Sequence, residues 1–486
     1  MTTSPQSDAN QTAIVLFRHD LRIEDNRALS AAAENFETVI PVFVFDEDSE
    51  GTRPIGGARR WWLHHSLEAL AASLDRLGAP LILRRGRMDE IVPALADETG
   101  AAAVFWNRRY DPPGMAADRR MKAALRQAGV EAESFEGHLL HEPWQVKTGS
   151  GGYYRVYSPF WRALCAQGDP RPPVDAPGKL KAPSRTPGSE ELSDWTLLPT
   201  TPDWAGGLRE SWAPGEAAAQ ERLAEFLDGE IEGYADDRDR PDKPATSRLS
   251  PYLTHGEITP YQIWHAVTQK TGIQARDAEK FLKEVAWREF SWHLLHHNAD
   301  LATRNFNADF DAFSWQGKAD DLQDWRRGRT GYPIVDAGMR QLWRTGWMHN
   351  RVRMVAASFL IKHLMIDWRE GEAWFWDTLV DADPANNAAS WQWVAGSGAD
   401  AAPYFRIFNP ILQGEKFDPR GDYVRAFVEE VKDLPDRSLH KPWAAGKDAL
   451  DRAGIELGRN YPCPIVDHGE ARGRALAAYD KVKEAS

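Results

Sequence analysis

The hydrophobic rhythm of the chain changes once. Over residues 12–140 short apolar runs alternate with segments of helical period. Ala13–Phe17, Val39–Phe45, Leu81–Leu83, Ala102–Trp106 and Glu131–Phe135 read as strands. Val39–Phe45 is apolar throughout, mostly β-branched and aromatic, as expected of a strand covered on both faces. Arg27–Glu34, Trp61–Leu77, Ile91–Glu98 and Met115–Gln127 lie between the strands at helical spacing. This alternation with short connections predicts an α/β fold, a doubly wound parallel sheet. Such sheets often bind ligands outside the carboxyl ends of their strands. Neither G-x-G-x-x-G nor G-x-x-x-x-G-K occurs in this part, so it has no Rossmann fingerprint and no P-loop.

Prolines accumulate between Gly168 and Pro214. A stretch of that length is predicted to wrap the surface of a neighbour, and 141–215 is taken as an interdomain linker. From Glu216 the strand signal disappears. Ala217–Leu227, Pro260–Gln269, Ala278–His297, Pro333–Thr345, Asn350–Lys362, Ala373–Val380 and Val424–Val431 carry helical spacing. They predict an all-α domain over 216–486, with no internal repeat.

Composition adjusts this outline. The 486 residues suit two to three domains. A mean hydropathy of -0.55 fits a soluble protein. No window approaches the roughly 18 apolar residues of a membrane span. Met1–Thr12 lacks the apolar core of a secretory signal. Two cysteines cannot supply a four-thiolate cluster or a Cys-type zinc site by themselves, so no metal is expected and a cytoplasmic setting is. The net charge is -13, so nucleic-acid binding would have to rest on local charge. The stretch Trp315–Lys416 is neutral, with twelve Lys/Arg against twelve Asp/Glu. The overlapping stretch Trp287–Trp393 holds 11 of the 21 Trp. Charge and aromatic content point to one region.

Four elements there and just upstream carry candidate chemistry. Phe281, Glu284, Trp287 and Arg288 share one helix face. A carboxylate among aromatics needs a polar partner, and Arg288 at i+4 is one choice. Asn350, Arg353 and Met354 share a face of a second helix, with Arg351 off to the side. In Asp381–Trp393, Asp383 is placed to cap a helix begun by Pro384. Asn387 and Trp391 then lie on one face, suited to the edge of a flat, polar-rimmed ring such as a flavin. Finally, Thr246-Ser247-Arg248-Leu249-Ser250 precedes Pro251. Its hydroxyls read either as phosphate donors or as an ordinary serine cap.

Together these stretches resemble the photolyase/cryptochrome family. The resemblance rests on L-F-R-H-D-L-R-I-E-D-N at Leu16–Asn26, T-S-R-L-S-P-Y-L at Thr246–Leu253 and W-R-E-F at Trp287–Phe290. It continues through T-G-Y-P-I-V-D-A-G-M-R at Thr330–Arg340, G-W-M-H-N-R-V-R-M at Gly346–Met354 and A-A-P-Y-F-R-I-F-N-P at Ala401–Pro410. The resemblance implies an antenna-binding α/β domain, a helical FAD-binding domain, and light-driven repair of cyclobutane pyrimidine dimers in DNA by electron transfer from reduced FAD. It places Tyr234, Thr246, Ser247, Arg248, Leu249 and Ser250 on the FAD phosphates and ribityl chain. Phe281, Glu284, Arg288, Asn350, Arg353, Asp381, Asp383 and Asn387 would complete the FAD contacts, with Arg353 and Asp381 as an ion pair. Glu284, Trp287, Asn350, Met354 and Trp393 would line the pocket for the flipped lesion, with Asn387 at the reactive flavin nitrogen. Trp391, Trp368 and Trp315 resemble an electron-hopping chain. Arg238, Arg351 and Arg406 would meet phosphates of the damaged DNA.

Within the family, plant-type cryptochromes carry an acidic residue at the position of Asn387 and insect ones Cys. The Met348–Met354 segment lacks the paired histidines of enzymes repairing the (6-4) lesion. Two cysteines exclude the iron–sulfur branch, and no long tail follows the fold. The resemblance therefore favours a dimer photolyase of class I or class III, leaning to class III, over a photoreceptor that signals through a partner. A flavoprotein oxidoreductase is the third reading, without a nicotinamide fingerprint to support it. A monomer with a second, antenna chromophore is expected, methenyltetrahydrofolate rather than a deazaflavin. Tyr110-Asp111 is followed by Pro112-Pro113-Gly114, not by the Asn–Glu pair of one folate-binding branch, so another folate geometry is implied.

Overall fold

The computed structural model describes residues 11–401 and 405–485. Ala402, Pro403 and Tyr404, part of the last motif above, lie outside the described residues, as does most of the Met1–Thr12 segment. Five strands, β1 (Thr12–Phe17), β2 (Thr38–Phe45), β3 (Ile82–Arg85), β4 (Ala103–Asn107) and β5 (Glu131–Phe135), form one sheet in the order β3-β2-β1-β4-β5. All pairings are parallel. Helices α1 (Arg27–Asn35), α2 (Gly57–Leu77), α3 (Met88–Thr99) and α4 (Pro112–Gln127) make the crossovers. β1, β2 and β4 are buried along their whole length, because alternate residues enter separate cores on the two faces. The order reverses between β1 and β4, so the loops after Phe17 and Asn107 open a crevice there.

The stretch read as a linker is in part helical: α5 (Tyr157–Cys165) packs on the site helix described below. Tyr157, Phe160 and Leu164 recur at helical spacing and are buried; Gly149, Gly151 and Gly152 just before them and Pro159 within the period masked it. Further on, main-chain bonds tie the stretch to the sheet layer, from Val39 to Lys181 (2.9 Å), Leu180 to Leu77 (2.8 Å) and Glu190 to Leu83 (3.0 Å).

After residue 216 the named elements are helical. Those that build the site are α6 (Ser250–His255), α7 (Ala275–His297), α8 (Asn350–Ser358), α9 (Trp368–Thr378) and α10 (Asn386–Ala395). The helix expected over Asn350–Lys362 narrows to α8 and then widens into one π-type turn, Phe359–His363. The expected helix Ala373–Val380 starts earlier, at Trp368, because the Asp367 carboxylate caps it by accepting from the Arg369 amide (3.0 Å). Helix α11 (His468–Ala485) closes the described chain. No helix of the described residues is long and apolar enough to cross a membrane.

Candidate active site

A cavity of about 590 Å3 opens between α7, α8 and α10. Phe281, Glu284, Trp287 and Arg288 of α7 all line it, as their spacing predicts. So do Asn350, Arg353 and Met354 of α8, and Arg351 with them, although helical spacing set that residue aside. Asn387, Trp391 and Trp393 enter from α10, and Asp381 and Asp383 from the loop before it. Tyr234, Ser247, Leu249 and Ser250 complete that wall. Thr246 and Arg248 do not line the cavity. The Arg248 guanidinium instead lies over Trp212, 4.2 Å from its ring centre.

Asp383 caps the turn that leads into α10, as expected, and its carbonyl accepts from the Asn387 amide (3.1 Å). Asp383 accepts from the amides of Ala385 (2.9 Å) and Asn386 (2.6 Å) and from the Asn386 side chain (2.6 Å). The helix begins at Asn386 rather than Pro384, since these bonds close a turn ahead of it. Burial raises the Asp383 pKa, opposed by the bond from Asn386 and the charge of Arg288. Ser250, by contrast, is not a helix cap. Its hydroxyl donates to Asp381 (2.6 Å), which also takes both guanidinium arms of Arg353 at 3.1 and 2.8 Å. The pair anticipated between Arg353 and Asp381 therefore exists, and it is two-pronged.

Of the partners open to Glu284, Arg288 is not the one it takes. The carboxylate pairs with Arg238 and, at 3.5 Å, with Lys280, one turn back on its own helix. Burial opposes the charge of Arg238, but the neighbouring Glu284 keeps its pKa above the ordinary value. Arg288 turns the other way. It donates to the His138 carbonyl (2.9 Å) and imidazole (2.9 Å) and sits 3.4 Å from Glu289. Burial and then Arg288 hold the His138 pKa well below its usual value, so the ring is neutral and can accept. Arg351 bonds Asp239 (2.6 Å) at the cavity. Arg406 is exposed, outside the cavity and 5.0 Å over the Phe408 ring.

Asn387 is buried, and its side-chain N–H groups donate to the Glu372 carboxylate (2.7 Å) and carbonyl (3.0 Å). Glu372 is gripped in turn by Arg53 at 2.8 and 3.0 Å. Trp287 lies face to face on Tyr157, ring centres 3.7 Å apart and planes 6° from parallel. The Trp393 indole donates to the Asp400 carbonyl (3.0 Å). Glu372, Arg53, Tyr157 and Asp400 were not anticipated from sequence. Trp391 and Trp368 are buried in one core and Trp315 packs against it. Trp391 meets Phe375 and Trp325 edge-on at 4.9 and 6.2 Å, and the Trp368 indole donates to Asn305 (2.9 Å).

The cavity combines aromatic walls, an amide held through its nitrogen by Glu372, a fixed ion pair, and the Nε atoms of Arg238 and Arg351, buried without a hydrogen bond. These groups fit a large, flat, partly anionic ligand.

Comparison with known proteins agrees with this chemistry. Residues 13–178 match the DNA photolyase family model, and residues 281–481 match the FAD binding domain of DNA photolyase. The chain is 58% identical over 472 residues to the deoxyribodipyrimidine photo-lyase of Agrobacterium fabrum, covering 97% of this chain and 98% of that one. It is 38% identical to Cryptochrome-1 of Arabidopsis thaliana, covering 97% of this chain and 70% of the plant protein. Among solved structures it resembles a bacterial class III photolyase from Agrobacterium tumefaciens, with a TM-score of 0.96, 57% identity, and coverage of 99% of this chain and 100% of that one.

Proposed function

The chain belongs to the photolyase/cryptochrome family, and on that premise we propose that it is a deoxyribodipyrimidine photo-lyase that repairs cyclobutane pyrimidine dimers in DNA with light and reduced FAD. The observation that carries this reading is the cavity itself, where a carboxylate, two amides and two tryptophans surround the space beside the family's FAD-binding residues.

Reduced FAD, when bound and excited, supplies the electron that splits the dimer and then recovers it. The chain's own residues hold and orient. Arg353 and Asp381 form a rigid polar edge. Asn387 presents its oxygen toward the cofactor because Glu372 takes its hydrogens. Tyr234, Ser247, Leu249, Ser250, Phe281, Arg288 and Asp383, which line the cavity, are assigned to the remaining cofactor contacts; Thr246 and Arg248 lie outside its lining and are assigned only by their place in the family motif. A pyrimidine inside a duplex is out of reach, so the lesion must be extruded, as photolyases in general are known to do. Trp287 and Trp393 stack on the extruded rings, Met354 fills the gap beside them, and Glu284 and Asn350 hydrogen-bond the base edges. Glu284 stabilises charge that develops on the lesion. Arg238, Arg351 and Arg406 are assigned to the flanking phosphates, and Trp391, Trp368 and Trp315 to electron supply from the surface.

The same proposal divides the chain at 12–140, 141–215 and 216–486, assigns it to class III, and has it act as a cytoplasmic monomer. It includes methenyltetrahydrofolate as antenna. Reduced protein, a dimer-containing oligonucleotide and blue light test the central claim. Loss of dimers under illumination is expected, and their persistence would replace repair by photoreception.

A further inference from the structure

The two tryptophans assigned to the lesion sit on different helices, Trp287 on α7 and Trp393 on α10. Stacking a pair of extruded bases requires the walls to keep a fixed separation, because a misplacement of about 1 Å can cost roughly 100-fold. Side-chain packing alone does not fix it, since both indoles are only partly buried. One residue is bonded to both walls. Asp400 accepts the Trp393 indole N–H on its backbone carbonyl (3.0 Å). Its carboxylate accepts the Tyr157 backbone N–H (3.1 Å), and the Tyr157 ring lies flat on Trp287 at 3.7 Å. The tyrosine is pinned at its other end too, its hydroxyl donating to the Lys283 carbonyl of α7 (2.6 Å).

The backbone is bent to reach this position. Asp400 has a φ of +53° without being glycine, a left-handed conformation that aspartate tolerates better than most residues. Just before it the chain turns back on α10. The amides of Gly396 and Gly398 both donate to the Gln392 carbonyl, at 2.9 and 3.0 Å. A side chain on Gly398 would meet the Trp393 nitrogen at 2.7 Å. Local strain held against a substrate-facing wall is characteristic of functional positions.

We propose that Asp400 is a positioning residue that sets the gap between Trp287 and Trp393, and so the fit of the paired, extruded bases. This rests on the dimer-repair reading. Its carboxylate controls the Trp287 wall through Tyr157, and its carbonyl controls the Trp393 wall.

The test compares Asp400→Gly and Asp400→Asn in the FAD-loaded protein. Glycine relieves the backbone strain and keeps the carbonyl but deletes the carboxylate. Asparagine keeps an acceptor oxygen and tolerates the same φ. Losing a charge-assisted hydrogen bond predicts dimer-DNA binding weaker by about tenfold in Asp400→Gly. Asp400→Asn should stay within about twofold of the parent, and both variants should keep their FAD content and photoreduction rate. Equal binding by Asp400→Gly and parent overturns the proposal, as does FAD loss in step with binding. If Asp400→Gly does not fold, Tyr157→Leu, which removes the ring behind Trp287, must give the same selective loss of binding. Failure of the parent to bind dimer DNA would instead count against the repair reading, which separates the two.

Discussion

Both side-chain hydrogens of Asn387 are committed to Glu372, one to its carboxylate at 2.7 Å and one to its carbonyl at 3.0 Å. An amide has two ends, and this arrangement fixes which end is turned to Glu372. Glu372 is itself held by Arg53 from the loop before α2, so the sheet half of the molecule sets the orientation. Glu372→Ala should leave a buried donor unpaired, at about 1–3 kcal/mol of stability. If the bond left to the backbone carbonyl of residue 372 does not hold the amide, photoreduced flavin should reoxidise about fivefold faster in the dark, a ratio equivalent to about 1 kcal/mol. Urea unfolding and flavin absorbance after illumination check the two halves separately. An unchanged reoxidation rate would show that Asn387 keeps its orientation without the Glu372 carboxylate.

Arg353 and Asp381 form the best-defined ion pair of the cavity wall, with the aspartate side chain only 3% exposed. Breaking such a pair from one side costs more than the pair contributes, because it strands a buried charge. Arg353→Ala should therefore lose about 3 kcal/mol of stability and most of its FAD. Arg353→Lys restores the charge but not the two-pronged geometry, and should recover stability more than FAD content. Flavin absorbance per protein and thermal unfolding measure both. Full FAD occupancy in Arg353→Ala would remove the pair from the cofactor site.

The parts of this arrangement visible in sequence are those with a local period. Strands buried on both faces read as unbroken apolar runs, so β1, β2 and β4 fall within a residue or two of their expected limits. The α7 face was legible because Phe281, Glu284, Trp287 and Arg288 repeat at helical spacing. What spacing cannot supply is the partner of a side chain when it lies on another element. Glu284 finds Arg238 rather than Arg288, and Asn387 finds Glu372 fifteen residues upstream. Tyr157 was hidden between a glycine-rich run and Pro159. Asp400 follows a run of small residues whose turn is decided by close approach to α10.

Arg351 is paired with Asp239 at 2.6 Å, so any phosphate contact must compete with that carboxylate. Two substitutions should then move in opposite directions. Arg351→Ala should weaken DNA binding and flatten the slope of log K against log salt by about 0.9, the share of one phosphate contact. Asp239→Asn releases the guanidinium and removes the negative charge beside it, and should tighten DNA binding at low salt. Neither should alter repair per photon once DNA is saturating. Binding isotherms from 50 to 200 mM salt decide the matter, and an unchanged slope in Arg351→Ala would exclude a phosphate contact.

The buried histidines give the fold an acid limit. Burial lowers the pKa of His255, His293 and His363 to about 3 and that of His349 to about 4. In the unfolded chain each takes up a proton near 6.5. Below that value the unfolded state binds more protons than the folded one. Stability is therefore full above about pH 6.5 and falls as pH drops toward 3–4, by up to about 1.4 kcal/mol per pH unit for each histidine. His363 shows the cost most directly. Its Nε2 lies 2.9 Å from Nδ1 of His468, the first residue of α11, and two protonated rings there would face donor to donor. His468 is the second cause lowering the His363 pKa, after burial. His363→Phe keeps a ring against Phe359, which stacks on His363 at 4.8 Å, and removes the proton site. Between pH 6.5 and 5 its stability should decline less steeply than the parent's by about one proton's worth. Parallel curves for the two proteins would place the acid sensitivity elsewhere, with His255 the next buried imidazole to replace.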